Sequence, residues 1–388
     1  MASTLDRRRF VQVGATGLGA TLFPGHLSAA PGVQDQQILT APRQVRMSGD
    51  GLGLTALEQG RLLTRLADGG RIDRDSYSNG GVVAQLEESC ARLLGKERAV
   101  FMPTGTLANH LAVRALAGGE GRAVLQAESH LYNDSGDCVQ TLSGIAIMPL
   151  APDAATFSLD ALQEVIARTR SGRVARPVSV ISVETPVRRG FGETFDQTEL
   201  DRVTGFARQE GIGLHLDGAR LFLQSAYTGV DVAEYARPFD TVYVSLYKYF
   251  NAASGAILAG PRALLDDMFH TRRMFGAGLP GAWPFAAAAL HYLPGFTERF
   301  RRAVDASEEV ITRIGAHDAF SVERVPRGTN LFWLRVRTDD VARFRRRLGE
   351  REILLGAPRP DGRILVGVNE TWNRQSVPEL VETFTAAL

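Results

Sequence analysis

The stretch Gly213-Leu214-His215-Leu216-Asp217-Gly218-Ala219-Arg220 decides the fold class of this chain. An apolar run ends there on an acid, and a glycine follows at once, as where a strand leaves a sheet for a turn. Other short apolar runs on both sides alternate with helical patterns, and this alternation predicts βαβ units and a mostly parallel sheet. The further strands predicted for this sheet are 99–102, 123–125, 178–183 and 241–246.

Beyond residue 265 the residue pattern no longer alternates between strands and helices. It is helical in pattern as far as residue 310, with a Gly- and Pro-rich break at 276–284. Two apolar runs, 331–336 and 363–368, then flank a helical pattern over 340–349, which predicts a small α+β domain. The predicted organisation is a signal peptide at 1–30, an arm and helix at 31–70, a large domain at 71–292 and a small domain at 293–388.

The first thirty residues are typical of an export signal. Arg7, Arg8 and Phe10 stand in twin-arginine order, a weak apolar stretch follows, and Ser28-Ala29-Ala30 offers a small-residue cleavage site. The apolar stretch is too short to span a bilayer, so we expect a periplasmic or exported protein with no membrane anchor in its mature form. The alternative is a basic N-terminal segment on a cytoplasmic protein.

Composition gives no reason to expect a nucleic-acid or membrane partner, because the formal net charge is only +1. The hydrophobic fraction of 44% is ordinary for a globular protein. The seven histidines show no metal-ligand spacing, so no metal site is expected. Cys90 and Cys138 neither require nor exclude a disulfide.

Two small motifs follow the first strands of the predicted sheet. Thr104-Gly105-Thr106 forms a turn into a helix, where free backbone N–H groups and the helix dipole favour a phosphate. An ordinary capped helix would show the same residues. His130 comes just after strand 123–125, where its flat imidazole could stack on a heteroaromatic ring or simply lie in a surface loop.

Two charged residues follow later strands. Asp217 is costly to bury without a cation, which a protonated pyridine nitrogen or Arg220 could supply. Lys248 lies between apolar residues just after strand 241–246, and burial would lower its pKa and free a nucleophilic amine. Alternatively, its amine could reach solvent from a half-buried stem. Together, a phosphate cradle, a ring cover, a pyridinium partner and a Schiff-base lysine meet the requirements of pyridoxal 5′-phosphate (PLP).

Over residues 71–388 the chain resembles the threonine aldolase and β-eliminating lyase family of fold-type I PLP enzymes. This resemblance implies a large domain with a mostly parallel seven-stranded sheet, and a homodimer or homotetramer with shared sites. The motifs that resemble the family are Tyr77, Gln85-Leu86-Glu87, Leu94-Gly95-Lys96-Glu97, Pro103 to Asn109, His130, His215 to Phe222, and Ser245 with Lys248.

The resemblance also implies roles for individual residues. Gly105 and Thr106 would hold the phosphate, and His130 would stack on the ring. Asp217 would pair with the pyridine nitrogen, Arg220 would contact the oxygen side of the ring, and Lys248 would form the Schiff base. The substrate-binding residues implied are Ser48, Tyr77 and Arg363, the last for the α-carboxylate.

The sequence departs from the family's pattern on the substrate side. Glu184-Thr185-Pro186-Val187 lacks the histidine that handles the β-hydroxyl proton in many threonine aldolases. The segment 276–280 lacks an arginine that binds phosphate between subunits, and the N-terminal motif survives only as Ser48-Gly49-Asp50. We expect retro-aldol cleavage of a β-hydroxy-α-amino acid. β-Elimination is the alternative reaction, and a non-catalytic binding protein is the alternative of another class.

Overall fold

The computed structural model describes residues 37–118, 121–174 and 176–388. The predicted signal at 1–30 lies outside these ranges. In chain order the strands are β1 (Val45–Arg46), β2 (Arg98–Met102), β3 (Arg122–Gln126), β4 (Ala146–Leu150), β5 (Val178–Glu184), β6 (Gly213–Asp217), β7 (Thr241–Ser245), β8 (Ala256–Gly260), β9 (Phe320–Arg324), β10 (Leu331–Val336), β11 (Ile353–Leu354) and β12 (Ile364–Gly367).

Helices connect and cover these strands. In chain order they are α1 (Ala56–Asp68), α2 (Gly81–Leu93), α3 (Gly105–Ala117), α4 (His130–Asn133), α5 (Cys138–Ser143), α6 (Leu159–Arg170), α7 (Gln197–Glu210), α8 (Leu221–Thr228), α9 (Val232–Ala236), α10 (Arg262–Leu265), α11 (Met268–Met274), α12 (Trp283–Tyr292), α13 (Phe296–Gly315), α14 (Val341–Glu350) and α15 (Val377–Ala386). None of the helices in the described ranges is long and apolar enough to cross a membrane.

Seven strands form the central sheet in the order β2-β8-β7-β6-β5-β3-β4. β8 runs antiparallel to both β2 and β7, and the other neighbours are parallel. Every residue of β7 and β8 is buried, as expected for strands covered by helices on both faces. The predicted α/β fold with a mostly parallel seven-stranded sheet is therefore confirmed.

A smaller α+β region follows the large sheet. β10 pairs antiparallel with β9 and β12, and α13 packs an apolar face that includes Phe296 and Phe300 into the core. The predicted domain boundary at residue 292 falls between α12 and α13. The predicted helical break at 276–284 covers most of the segment between α11 and α12 and the first two residues of α12. Cys90 and Cys138 are both buried free thiols.

The N-terminal arm crosses to this smaller region. β1 pairs in parallel with β11, with Val45 opposite Ile353. Asn369 then holds the next turn of the arm, because its side-chain amide donates to the carbonyl oxygens of Ser48 and Gly49, both at 3.2 Å. This pairing brings residues 48–50 beside the carboxyl edge of the large sheet.

Candidate active site

A cavity of about 340 Å³ opens where β5, β6 and β7 end, the edge at which open α/β sheets bind their ligands. All six residues predicted to contact the cofactor line it. The structure therefore brings together residues that are far apart in sequence. The lining residues are Thr104, Gly105, Thr106, His130, Glu184, Arg188, Asp217, Ala219, Arg220, Tyr243, Tyr247, Lys248, Ala253 and Ser254.

Lys248 lies in the bend that follows β7. Burial, followed by the nearby Arg220 guanidinium, lowers the pKa of Lys248 from 10.5 to about 8. Its ammonium nitrogen lies 6.0 Å from the centre of the Tyr243 ring and 5.5 Å from that of Tyr247. A substantial share of this amine is therefore neutral near physiological pH, as a nucleophilic lysine requires.

Asp217 ends β6 and is 3% exposed. One carboxylate oxygen accepts a hydrogen bond of 2.6 Å from the side-chain amide of Asn109, and the other accepts one of 3.1 Å from the Ala219 N–H. Asn109 in turn lies 2.8 Å from His215 Nε2, and His215 Nδ1 lies 2.9 Å from the Thr241 hydroxyl. This buried chain fixes the orientation of the Asp217 carboxylate.

The protonation of His215 follows from this chain. Burial lowers its pKa to about 4, so the ring is neutral. Since the Asn109 amide nitrogen donates to Asp217, its oxygen must accept, and His215 Nε2 therefore donates to it. The chain adds no second charge beside Asp217, whose carboxylate is left to pair with a cation in the cavity.

The first turn of α3 lines one end of the cavity. Thr104 caps this helix, because its hydroxyl accepts the Leu107 N–H at 3.2 Å. The N–H groups of Gly105 and Thr106 have no partner within the helix, as at any helix start, and are available to an anion. Gly105 permits the close approach of β7: a Cβ atom there would lie 2.0 Å from the Tyr243 hydroxyl oxygen.

His130 and Glu184 form the opposite side of the cavity. Glu184 ends β5, and its carboxylate accepts the His130 N–H at 2.6 Å and the Arg188 N–H at 2.9 Å. Burial, and secondarily the Asp217 charge, raises the pKa of Glu184 to about 7. His130 Nδ1 lies 3.3 Å from the Ser135 hydroxyl, and burial lowers the pKa of this histidine. A neutral imidazole anchored in this way can cover an aromatic ring.

Arg220 is paired with Asp50, and not with Asp217 as one of the sequence alternatives proposed. Its Nε donates to Asp50 at 2.9 Å, and the two side chains are 16% and 13% exposed. The Asn330 amide donates to the other Asp50 oxygen at 3.1 Å. The N-terminal arm thus completes the site, since Asp50 is the residue that holds Arg220 in place.

The three predicted substrate-binding residues do not line this cavity. Ser48 lines a neighbouring cavity of about 430 Å³, which shares Tyr247 and Lys248 with the first. Tyr77 is 44% exposed, and its ring lies 5.0 Å from the Arg273 guanidinium. The substrate roles of Ser48 and Tyr77 therefore stay predictions.

Arg363 also lies outside the residues that line this cavity. Its guanidinium is paired with Asp361 at 2.8 Å and with Glu323 at 3.1 Å, and it stacks 4.6 Å from the centre of the Trp333 ring. Two carboxylates already neutralise this arginine, and it lies just before β12, away from Lys248. The predicted substrate role of Arg363 stays a prediction, and in this structure its guanidinium is occupied by these partners.

Sequence reasoning missed Asn109, Glu184 and Arg188 as site residues. Glu184 shows the signal that singled out Asp217, an acid at the end of an apolar strand, and could have been found in that way. Asn109 lies one turn into α3, where nothing local indicates that its amide faces Asp217. Within the three described ranges, no group of three or more His, Cys, Asp or Glu side chains is placed to hold a metal ion.

The fold and the cavity define an α/β protein with a half-buried lysine, an oriented aspartate and the start of a helix at one sheet edge. The model of the beta-eliminating lyase family matches residues 69–337. The chain belongs to this family.

The chain is similar to three further proteins of known sequence or structure. Low-specificity L-threonine aldolase 1 of Arabidopsis thaliana is 27% identical over 223 residues, which are 56% of this chain and 62% of the relative. The chain thus spans less than two thirds of the length of this curated relative. A structure from Exiguobacterium sp. 255-15, provisionally assigned as an aromatic amino acid beta-eliminating lyase/threonine aldolase, is 25% identical with a TM-score of 0.74, over 90% of this chain and 99% of that one. A lysine-to-alanine variant of a serine palmitoyltransferase from S. paucimobilis, with a bound PLP–myriocin aldimine, shares the fold at 14% identity and a TM-score of 0.62, over 89% of this chain and 87% of that one.

Proposed function

We propose that this chain is a PLP-dependent carbon–carbon lyase that cleaves a β-hydroxy-α-amino acid by a retro-aldol reaction. The observation that carries the proposal is that Lys248, Asp217 and the first turn of α3 line one cavity. Family membership and the similarity to a low-specificity threonine aldolase support the same reaction class.

The donor set of the cavity fits PLP. The chain has two lysines, and the other one, Lys96, donates to the carbonyl oxygens of Ala236 at 2.9 Å and Phe239 at 2.5 Å. Lys248 is therefore the lysine available for a covalent link to the cofactor. The free N–H groups at the start of α3 suit a phosphate, and the oriented Asp217 carboxylate suits a protonated pyridine nitrogen.

Each residue then has a defined task. Gly105 and Thr106 would hold the phosphate, His130 would cover the ring and Asp217 would keep the ring nitrogen protonated. PLP, when bound, supplies an electron sink for a bond broken at the α-carbon of the substrate. Lys248, with a pKa of about 8, can hold or release a proton close to neutral pH.

The β-hydroxyl proton requires a base, and Val187 stands where many threonine aldolases have their histidine. Besides Asp217, Glu184 is the carboxyl group among the described lining residues. Its pKa of about 7 allows it to accept a proton at neutral pH. We therefore assign Glu184 as the base that accepts the β-hydroxyl proton.

β-Elimination from a β-substituted amino acid is the second candidate. It requires a base for the α-proton rather than for a hydroxyl, and the lowered pKa of Lys248 favours that role. The family's name covers this chemistry as well.

The test uses the PLP-loaded protein. L-Threonine and L-allo-threonine should release glycine and acetaldehyde, whereas β-chloroalanine should release pyruvate if elimination is the reaction. Lys248→Ala should give no reducible covalent cofactor after borohydride treatment, and Lys96→Ala is the matched control that should retain it. A change in visible absorbance with amino acids but no product would favour a non-catalytic binding protein. A covalent cofactor found on Lys248→Ala after borohydride treatment would reject Lys248 as the cofactor lysine.

A further inference from the structure

We infer that Arg188 binds the α-carboxylate of the amino acid substrate, in the role that the sequence suggested for Arg363. The inference rests on the proposed function. Arg188 is exposed and lines the cavity together with Lys248 and Asp217. It is therefore an arginine that a substrate in this cavity can reach.

The guanidinium of Arg188 is free to take an anion. Within residues 37–118, 121–174 and 176–388, no hydrogen bond or ion pair joins it to another side chain. The nearby Asp134 is held by Arg189 at 2.9 Å. The other arginine of the cavity, Arg220, is paired with Asp50. An incoming carboxylate would therefore not have to displace a protein carboxylate from Arg188.

The backbone of Arg188 is held in place although its side chain is not. Its N–H donates to the Glu184 carboxylate at 2.9 Å. Glu184 is itself clamped by the Gln126 amide, which accepts the Glu184 N–H at 2.9 Å and donates to its carbonyl oxygen at 2.7 Å. The Val187 N–H further donates to the Glu193 carbonyl oxygen at 2.8 Å. The turn after β5 thus presents Arg188 at a fixed point of the rim.

The position of this turn favours a carboxylate over the cofactor phosphate. The proposed phosphate end comprises Gly105, which abuts Tyr243 of β7, and Ser254, which lies just before β8. The Ser254 hydroxyl donates to the Pro103 carbonyl oxygen. Arg188 follows β5, three strand positions from β8, which is about 14 Å at the usual strand spacing. A guanidinium matches the two oxygens of a carboxylate in a bidentate pair.

The test compares two small amines by absorbance titration of PLP-loaded protein: glycine, which has the carboxylate, and ethanolamine, which lacks it. Arg188→Ala should weaken glycine binding by about 10- to 100-fold, the effect of losing a hydrogen-bonded charge pair, and leave ethanolamine binding within about twofold. Arg188→Lys should recover only part of the glycine affinity, because it loses the fork geometry.

Two other arginines serve as controls. Arg189→Ala removes the adjacent charge, which is paired with Asp134, and Arg363→Ala removes the arginine suggested by the sequence; both should leave the preference for glycine unchanged. Unaltered glycine affinity in Arg188→Ala, or its loss in Arg363→Ala, would overturn the inference. Loss of bound PLP from Arg188→Ala with an unchanged preference for glycine would assign Arg188 to the cofactor instead. A wild-type protein that responds to neither amine would overturn the proposed function, and the inference with it.

Discussion

At the scale of single residues, burial is the main source of the chemistry of Lys248. It lowers the pKa of this amine to about 8, and no carboxylate forms an ion pair with it among the described residues. The same burial destabilises the folded, cofactor-free protein. The lysine binds its proton less tightly in the folded state than in the unfolded chain, where its pKa is 10.5. Site chemistry and stability are therefore opposed at this position.

Lys248→Met should stabilise the cofactor-free protein. Below pH 8 the gain in the free energy of unfolding should be on the order of 3 kcal/mol, because the folded state holds the proton less tightly than the unfolded state. The gain should shrink as the pH rises from 8 to 10.5, where the unfolded lysine also becomes neutral. Urea unfolding at several pH values measures it.

Lys96→Met is the comparison for this prediction. Its amine bonds two backbone carbonyl oxygens, which the substitution would leave without that donor, so stability should fall. A Lys248→Met protein no more stable than the wild type at pH 7 would show that burial does not perturb the amine.

At the scale of elements, the sequence pattern predicted five strands of the large sheet and missed β4 and β8. The predicted run 178–183 became β5, with its seven residues almost all buried. β4 was not predicted, because it is an edge strand with a mostly half-exposed pattern and a proline, Pro149, which edges tolerate. β8 was missed although every one of its residues is buried, and the edge strand β2 was predicted as 99–102, so position in the sheet did not by itself decide which strands could be predicted.

Helix α3 begins with the residues proposed to hold the cofactor phosphate. Gly105→Ala would place a methyl group 2.0 Å from the Tyr243 hydroxyl oxygen, so the helix start must shift. We expect PLP affinity to fall by on the order of 1–3 kcal/mol, the usual effect of overpacking. Equilibrium titration of the cofactor-free protein with PLP measures this loss.

Gly205→Ala in α7 is the matched control. Nothing lies within 4 Å of a Cβ atom at that position, so alanine should leave PLP affinity unchanged and raise stability by about 1 kcal/mol through helix propensity. Equal PLP affinity in both alanine variants would contradict the role given to the start of α3.

At the scale of the whole molecule, the candidate site joins segments that the chain separates widely. Asp50 of the arm meets Arg220, 170 residues away in sequence, and Asn109 meets Asp217 across 108 residues. The parallel pairing of β1 with β11 carries the arm to this position. Truncation of the arm would therefore leave Arg220 without its carboxylate.

Export as a folded, cofactor-loaded protein is predicted from the N-terminal residues. Because the proposed covalent link and phosphate contacts form only in a folded site, loading before transport requires a route for folded cargo, which twin-arginine signals provide. Replacing Arg7 and Arg8 by Lys should retain the full-length form in the cytoplasm, whereas the wild type should be periplasmic and begin near Pro31. Cell fractionation with N-terminal sequencing measures both, and a cytoplasmic wild-type protein that still carries Met1 or Ala2 would reject export.

The sequence by itself determined the fold class and predicted which residues meet in the cavity. Asp217 and Lys248 each follow an apolar run, and parallel strands bring their carboxyl ends to one edge, so local patterns were sufficient to predict their meeting. Only the tertiary structure decided that Arg220 pairs with Asp50, that Asn109 orients Asp217, and that Arg188 rather than Arg363 faces the cavity. These contacts join segments that are far apart in sequence. The direction of each side chain is set by how those segments pack, which no local sequence pattern encodes.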